Sequence, residues 1–289
     1  MSEIKKLEEV RHIITMHCNL ECLHCYLKGG GNNNSKEQVI IDEDVLNKFY
    51  LKYKPDVVSA TGGEPLLNKE MVKLLGKVIN QYGRALEVVT NGTLIDEEFV
   101  DDLQKINPNT FYQISLDGME EYHNYLRNSS TAFARAMRGI KIVSARNIRL
   151  KVRYTVTDQN YKDLPELVKL LESFNNDKIE LVIRPVVTCG RAKDNNLVFS
   201  KEYSLLNNLK SDVIKISTTD NSGKCGCGVN TVAINDVGNI YPCNYTIGDN
   251  RYLMGNINEE VSLFENEEFK NYTGNCFARR LQKLPVQSK

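Results

Sequence analysis

The stretch His17-Cys18-Asn19-Leu20-Glu21-Cys22-Leu23-His24-Cys25-Tyr26 places three thiols with three and then two residues between them, directly after an apolar run at residues 10–15. Outward from it, β-type runs recur at residues 57–60, 86–90, 110–116, 149–156 and 180–186, several nearly continuous in Val, Ile and Leu. Helix-period segments fall between and after them, at residues 42–53 with Asp42 as N-cap, 69–82, 96–106, 132–145, 164–174 and 203–215. Such alternation predicts a parallel sheet with right-handed crossovers and helices over its faces. Periodicity leaves open whether the sheet curls or stays flat.

In a parallel α/β sheet, functional groups collect at the C-terminal ends of the strands. The suggestive residues of this chain lie there. Cys18 to Cys25 follow the first strand, Gly62-Gly63-Glu64-Pro65 the second, Thr90-Asn91-Gly92 the third and Ser115-Leu116-Asp117-Gly118 the fourth. One shared site is the expectation. Gly29-Gly30-Gly31-Asn32-Asn33-Asn34 reads as a flexible connection, without the Lys-Ser/Thr of a phosphate-binding loop.

The chain has 289 residues, no net charge and no Lys/Arg-rich run, which argues against a nucleic-acid partner. No apolar stretch is long enough to span a membrane, and MSEIKKLEEV is no signal peptide, so a cytoplasmic location is expected. Eight cysteines then need a reason other than disulfides. Three lie in the loop above; Cys225, Cys227, Cys243 and Cys276 form a second group; Cys189 stands alone.

Three thiolates can hold three irons of a four-iron cube and leave the fourth open. An open iron can chelate the amino and carboxylate groups of S-adenosylmethionine. The alternative is a structural zinc site closed by His17 or His24. In the last quarter, Thr231–Ile234 and Asn239–Tyr241 flank a turn at residues 235–238 and read as a hairpin, followed by a helical segment at 263–272. The hairpin brings Cys243 back toward Cys225 and Cys227, a second metal site for which zinc is again the alternative.

The Cys-x3-Cys-x2-Cys loop followed by Tyr26, with the later motifs in order, resembles the radical S-adenosylmethionine superfamily. The resemblance implies an α/β fold, a partial (β/α)6 barrel over residues 1–215. Cys18, Cys22 and Cys25 then ligate a [4Fe-4S] cluster, and Glu64 after Gly62 and Gly63 takes the cofactor's ammonium. Asn91, Ser115 and Asp117 approach the cofactor, the last two near its ribose, Arg127 reaches its carboxylate, and the backbone of Tyr26 lies near the adenine. The segment Gly238-Asn239-Ile240-Tyr241-Pro242-Cys243, with Leu253-Met254-Gly255-Asn256-Ile257 and a preceding Gly190-Arg191-Ala192, resembles the SPASM or Twitch extension. Residues 216–289 are accordingly expected to form a small C-terminal auxiliary iron–sulfur cluster domain. Only Cys276 follows where the full extension has four more cysteines, so one auxiliary [4Fe-4S] cluster is expected, held by Cys225, Cys227, Cys243 and Cys276.

The superfamily cleaves S-adenosylmethionine reductively to a 5′-deoxyadenosyl radical. Members with this extension mostly modify ribosomally made peptides, so the resemblance implies a precursor-peptide substrate, a reductant such as flavodoxin or ferredoxin, and a separate leader-binding protein. Oxidation of a small molecule is the other enzymatic reading, and a non-catalytic iron–sulfur electron carrier the reading from another class. Cys189, after the sixth strand, is either a hydrogen-atom donor to substrate or a small buried side chain.

Overall fold

Short β-branched runs and capped amphipathic segments alternate through the computed structural model, which describes residues 6–30, 41–218, 226–259, 261 and 263. The strands are β1 (Glu9–Thr15), β2 (Val57–Gly62), β3 (Ala85–Thr90), β4 (Phe111–Ser115), β5 (Leu150–Val156), β6 (Ile179–Pro185), β7 (Lys215–Thr218), β8 (Thr231–Ile234), β9 (Asn239–Tyr241) and β10 (Gly255–Asn256). The helices are α1 (Glu43–Tyr53), α2 (Lys69–Asn80), α3 (Glu97–Ile106), α4 (Glu120–Arg127), α5 (Ala132–Ala145), α6 (Leu164–Glu172) and the single turn α7 (Arg191–Asp194). Asp42 and Asp96 start α1 and α3 by accepting from the backbone N–H of Asp44 and Phe99.

All ten strands join one sheet in the order β10-β9-β8-β1-β2-β3-β4-β5-β6-β7. Neighbours from β8 to β7 are parallel, and β9 and β10 are added antiparallel at one end. The fold is therefore α/β with a mainly parallel sheet. The hairpin expected at 231–241 forms; its turn is closed by Gly238 at φ +84°, with Asn235 Oδ1 accepting from the Asn239 N–H. It continues the main sheet, because β8 lies parallel against β1.

The sheet is apolar on one face only. Val58, Ala60, Leu86, Val88, Tyr112, Ile114, Leu150, Val152 and Tyr154 are buried under the helices. Their neighbours in sequence point the other way: Glu9, Arg11, Ser59, Glu87, Gln113, Lys151 and Arg153 line a common cavity of about 540 Å³. Strands from β1 to β6 share that cavity, so the sheet curls around it, while β7 and β10 are left as unjoined ends. The near-continuous apolar runs expected from the sequence hold for the helix-covered face alone. The inner face alternates with it, as a strand half-facing water must.

The helix expected at 203–215 does not form. A 3₁₀ turn at Tyr203–Leu206 ends in Asn207, and the chain then enters β7. Ser211 Oγ accepts from the N–H groups of both Val213 and Ile214, a local bond that competes with helix, and the β-branched residues that follow prefer the sheet. The short helix α4 was not expected. Only His123, Leu126 and Arg127 of it are buried, too few to show a period in the sequence. The helix expected at 263–272 lies outside the described residues, apart from residue 263.

Candidate active site

The cysteine loop leaves β1 at the C-terminal edge of the sheet and is held there by backbone. Gly63 N–H donates to Thr15 O at 2.8 Å and Glu64 N–H to His17 O at 2.7 Å. That seam is tight enough to demand glycine: a Cβ on Gly63 would lie 2.0 Å from His17 O, and one on Gly62 2.4 Å from Thr15 O. From α7, after β6, Arg191 clamps the same loop. Its N–H donates to Cys25 O at 2.9 Å, its Nε to Cys22 O at 2.9 Å and its Nη2 to Gly29 O. The sequence marked Gly190-Arg191-Ala192 only as a resemblance; the structure assigns it to bracing the cysteines.

Cys18, Cys22 and Cys25 all line the cavity, together with Tyr26, Gly62, Gly63, Asn91, Ser115 and Arg127. Burial pushes the Cys18 thiol up to about 12, so a thiolate there needs a cation to hold it. Among the described residues no three Cys, His, Asp or Glu side chains converge where one ion could sit. A closed zinc site needs four donors within about 2.0–2.3 Å of a point. Three thiols spread around a shared space suit a larger cluster with an open corner. Burial also keeps the nearby His24 neutral, down to about 4, with Arg127 adding to the effect.

Two of the expected cofactor residues, Glu64 and Asp117, are fully buried. Glu64 is fully buried; its Oε1 accepts from Thr90 Oγ1 (2.6 Å) and Leu66 N–H (3.1 Å), its Oε2 from Asn91 N–H (2.8 Å). Burial raises its pKa against these three donors. A carboxylate has about four acceptor positions, so one remains for a ligand ammonium. Asp117 is also fully buried. Oδ1 accepts from Thr155 N–H at 2.7 Å and Oδ2 from Arg127 Nη2, so neither oxygen is turned to the cavity. Burial would raise Asp117, but the Arg127 guanidinium holds it down to about 2. Arg127 spans this pair and the cluster loop, its Nη1 donating to Cys22 Sγ at 3.7 Å. Asn91 Nδ2 approaches Cys18 Sγ at 3.9 Å and donates to Asn19 Oδ1 at 2.9 Å.

The hairpin side meets the same cavity. The Tyr26 hydroxyl accepts from Asn244 Nδ2 at 2.7 Å, and its ring lies 4.5 Å from that of Tyr245. Cys227 and Cys243 are buried in one cluster with Tyr245, Tyr252 and Met254 around them. Cys225 and Cys276 lie outside the described residues. Cys189 is half-buried, its thiol raised to about 11 by burial first and then by the charges of Cys25 and Cys243.

Residues 12–171, more than half of the chain, match the Radical SAM superfamily, and the chain belongs to that family of enzymes. It is 31% identical over 159 residues to an Fe-coproporphyrin III synthase of Methanosarcina barkeri, covering 55% of this chain and 39% of that one. It is 30% identical over 182 residues to a pre-heme d1 synthase of Dinoroseobacter shibae, covering 63% and 44%. The chain thus spans less than half the length of these two relatives. Among solved structures it resembles SuiB of Streptococcus suis bound to S-adenosylmethionine, with TM-score 0.68 and 17% identity over 99% of this chain and 70% of that one. That likeness gives the fold, a partial barrel of the radical SAM type. No helix among the described residues is long and apolar enough to cross a membrane.

Proposed function

We propose that this enzyme modifies a ribosomally made peptide inside the barrel, with S-adenosylmethionine at the cysteine loop and one auxiliary [4Fe-4S] cluster at the hairpin. The observation that carries the reading is the cavity of about 540 Å³ directly beneath Cys18, Cys22 and Cys25. When bound there, the cluster and S-adenosylmethionine supply a 5′-deoxyadenosyl radical that removes a hydrogen atom from substrate. The chain's own residues do the rest. The three thiols hold the cluster, Glu64 offers its remaining acceptor to the cofactor's amino group, and Asn91 and Ser115 lie on the wall it would touch. Arg127, anchored by Asp117, keeps a positive charge beside Cys22 and is placed to meet a carboxylate.

Support for a peptide comes from the SPASM-like cysteines and from SuiB, whose structure has also been determined bound to the precursor peptide SuiA. In this reading residues 1–215 form the catalytic domain and 216–289 the auxiliary one, with Cys225, Cys227, Cys243 and Cys276 as its ligands. Cys189, which follows β6, is a hydrogen-atom donor in the same reading. A cytoplasmic location, a flavodoxin- or ferredoxin-like reductant and a separate leader-binding protein complete it. A second reading, a small-molecule substrate, is favoured by the two relatives named as tetrapyrrole synthases.

Anaerobic reconstitution followed by dithionite and S-adenosylmethionine tests the first step: 5′-deoxyadenosine should form, and Cys22→Ala should abolish it. Iron of about eight atoms per chain is expected for two cubes, and about four would remove the auxiliary cluster. A precursor peptide, sought as a short open reading frame beside the gene, should change mass in the reaction; an unchanged peptide with full cofactor cleavage would favour the small-molecule reading.

A further inference from the structure

The charges lining the cavity do not balance. Glu9 pairs in two-pronged fashion with Arg11, Oε1 accepting from Nε at 3.0 Å and Oε2 from Nη2 at 2.9 Å. Glu87 accepts from Lys151 Nζ at 2.7 Å and from Ser59 Oγ at 2.7 Å, and Ser59 Oγ also lies 3.2 Å from Glu9 Oε1. The lower part of the cavity is closed by this network. Both of its carboxylates are engaged there.

Arg153 and Arg184 lie outside that network and form no such pairs, although the charge of Arg184 helps to lower the Glu9 pKa. They sit on adjacent strands, Arg184 paired in register with Thr155 and Arg153 one side-chain repeat before that residue, and both line the cavity. Neither forms a salt bridge to a carboxylate among the described residues. Arg184 Nε is buried with no hydrogen-bond partner among the described residues. Burial, and after it the repulsion of Arg184, brings Arg153 down to about 9. Two adjacent guanidiniums in a half-enclosed space repel each other and lose hydration, an arrangement that proteins seldom keep unpaired. A guanidinium fork matches one kind of partner, a carboxylate or phosphate able to accept two parallel hydrogen bonds.

We propose that Arg153 and Arg184 form an anion subsite that takes a carboxylate or phosphate group of the substrate and orients its remainder toward the cysteine loop. The subsite rests on the reading of this cavity as the substrate chamber. It holds for an acidic side chain or terminus of a peptide as for a small acid, since each presents the same group.

The test is binding to the reconstituted, S-adenosylmethionine-loaded full chain, read by titration calorimetry at constant ionic strength. Glutarate and inorganic phosphate are the probes, with chloride as the control. Saturable heat with glutarate or phosphate is expected, about tenfold weaker in Arg153→Gln and in Arg184→Gln, the size of one charge-assisted contact. Stronger binding of phosphate assigns a phosphoryl group, and stronger binding of glutarate a carboxylate. S-adenosylmethionine affinity should be the same in wild type and variants; a parallel loss would give these arginines to the cofactor and overturn the proposal. Phenylglyoxal labelling of the native chain, read by peptide mass, needs no variant to fold. Glutarate or phosphate should shield Arg153 and Arg184, and equal labelling with and without them would overturn the subsite. Unshielded arginines with normal 5′-deoxyadenosine formation would leave the enzyme reading standing. Shielding without 5′-deoxyadenosine would sink that reading instead.

Discussion

The two faces of the same strands follow opposite rules. Toward the helices, β2 to β5 present Val58, Ala60, Leu86, Val88, Tyr112, Ile114, Leu150, Val152 and Tyr154, all essentially inaccessible to solvent. Toward the cavity the same strands present Ser59, Thr61, Glu87, Gln113, Ser115, Lys151, Arg153 and Thr155. A barrel filled by its own side chains carries branched apolar residues on its inner layers. This one carries mainly polar groups there, with Val57, Val89 and Phe111 among them, and so keeps space. Apolar packing is concentrated on one face and charge on the other.

The comparison is tested hardest at the Asp117–Arg127 pair. Asp117→Asn leaves Arg127 buried without its counter-ion, and a loss of about 3–5 kcal/mol in chemical denaturation is expected, with a weakened cluster loop. Because Asp117 titrates at about 2 in the folded state, below the usual carboxyl range, its contribution is complete at neutral pH. It fades as pH falls from about 4 through 2. The variant should lack that acid limb. On the helix side, Leu86→Ala should lower stability by about 2–5 kcal/mol while the reconstituted protein retains S-adenosylmethionine binding. A loss of binding equal to the loss of stability would erase the distinction between the faces.

Acid should act through the helix-covered side as well. Burial depresses His12 to about 4, and burial followed by Arg127 depresses His123 to about 3. A histidine lowered in this way contributes stability above pH 6.5 that is lost on acidification toward its folded value. At pH 5 each should cost about 2 kcal/mol relative to neutral pH. His12→Gln should flatten the pH dependence of the melting midpoint between 6.5 and 4; an unchanged slope would place the acid sensitivity elsewhere. The smallest effect is expected outside both faces. Arg146→Gln removes an exposed fork to Asp101 and Glu97 and should leave the melting midpoint unchanged at physiological salt.

The strand face that lines the cavity was partly legible. Residues 150–156 alternate without exception between Leu150, Val152, Tyr154 and Val156 on one side and Lys151, Arg153 and Thr155 on the other. Reading that period as two-faced, instead of as part of a covered sheet, would have exposed Arg153. The missed helix α4 and the false one at 203–215 have a common cause. In neither does an apolar period announce the outcome: α4 buries only His123, Leu126 and Arg127, and near 211 the Ser211 hydroxyl bonds the backbone of Val213 and Ile214.

By itself the chain order determined the cysteine loop, the succession of β/α units and the hairpin after residue 230, because spacing, period and turn chemistry are local properties. The tertiary structure alone decided that Glu64 and Asp117 are fully buried, that Arg191 grips a loop some 160 residues earlier in the chain, and that Arg153 and Arg184 share a cavity without a salt bridge to a carboxylate among the described residues. Those facts depend on strand register and on the curl of the sheet around empty space, which arise only when distant segments pair.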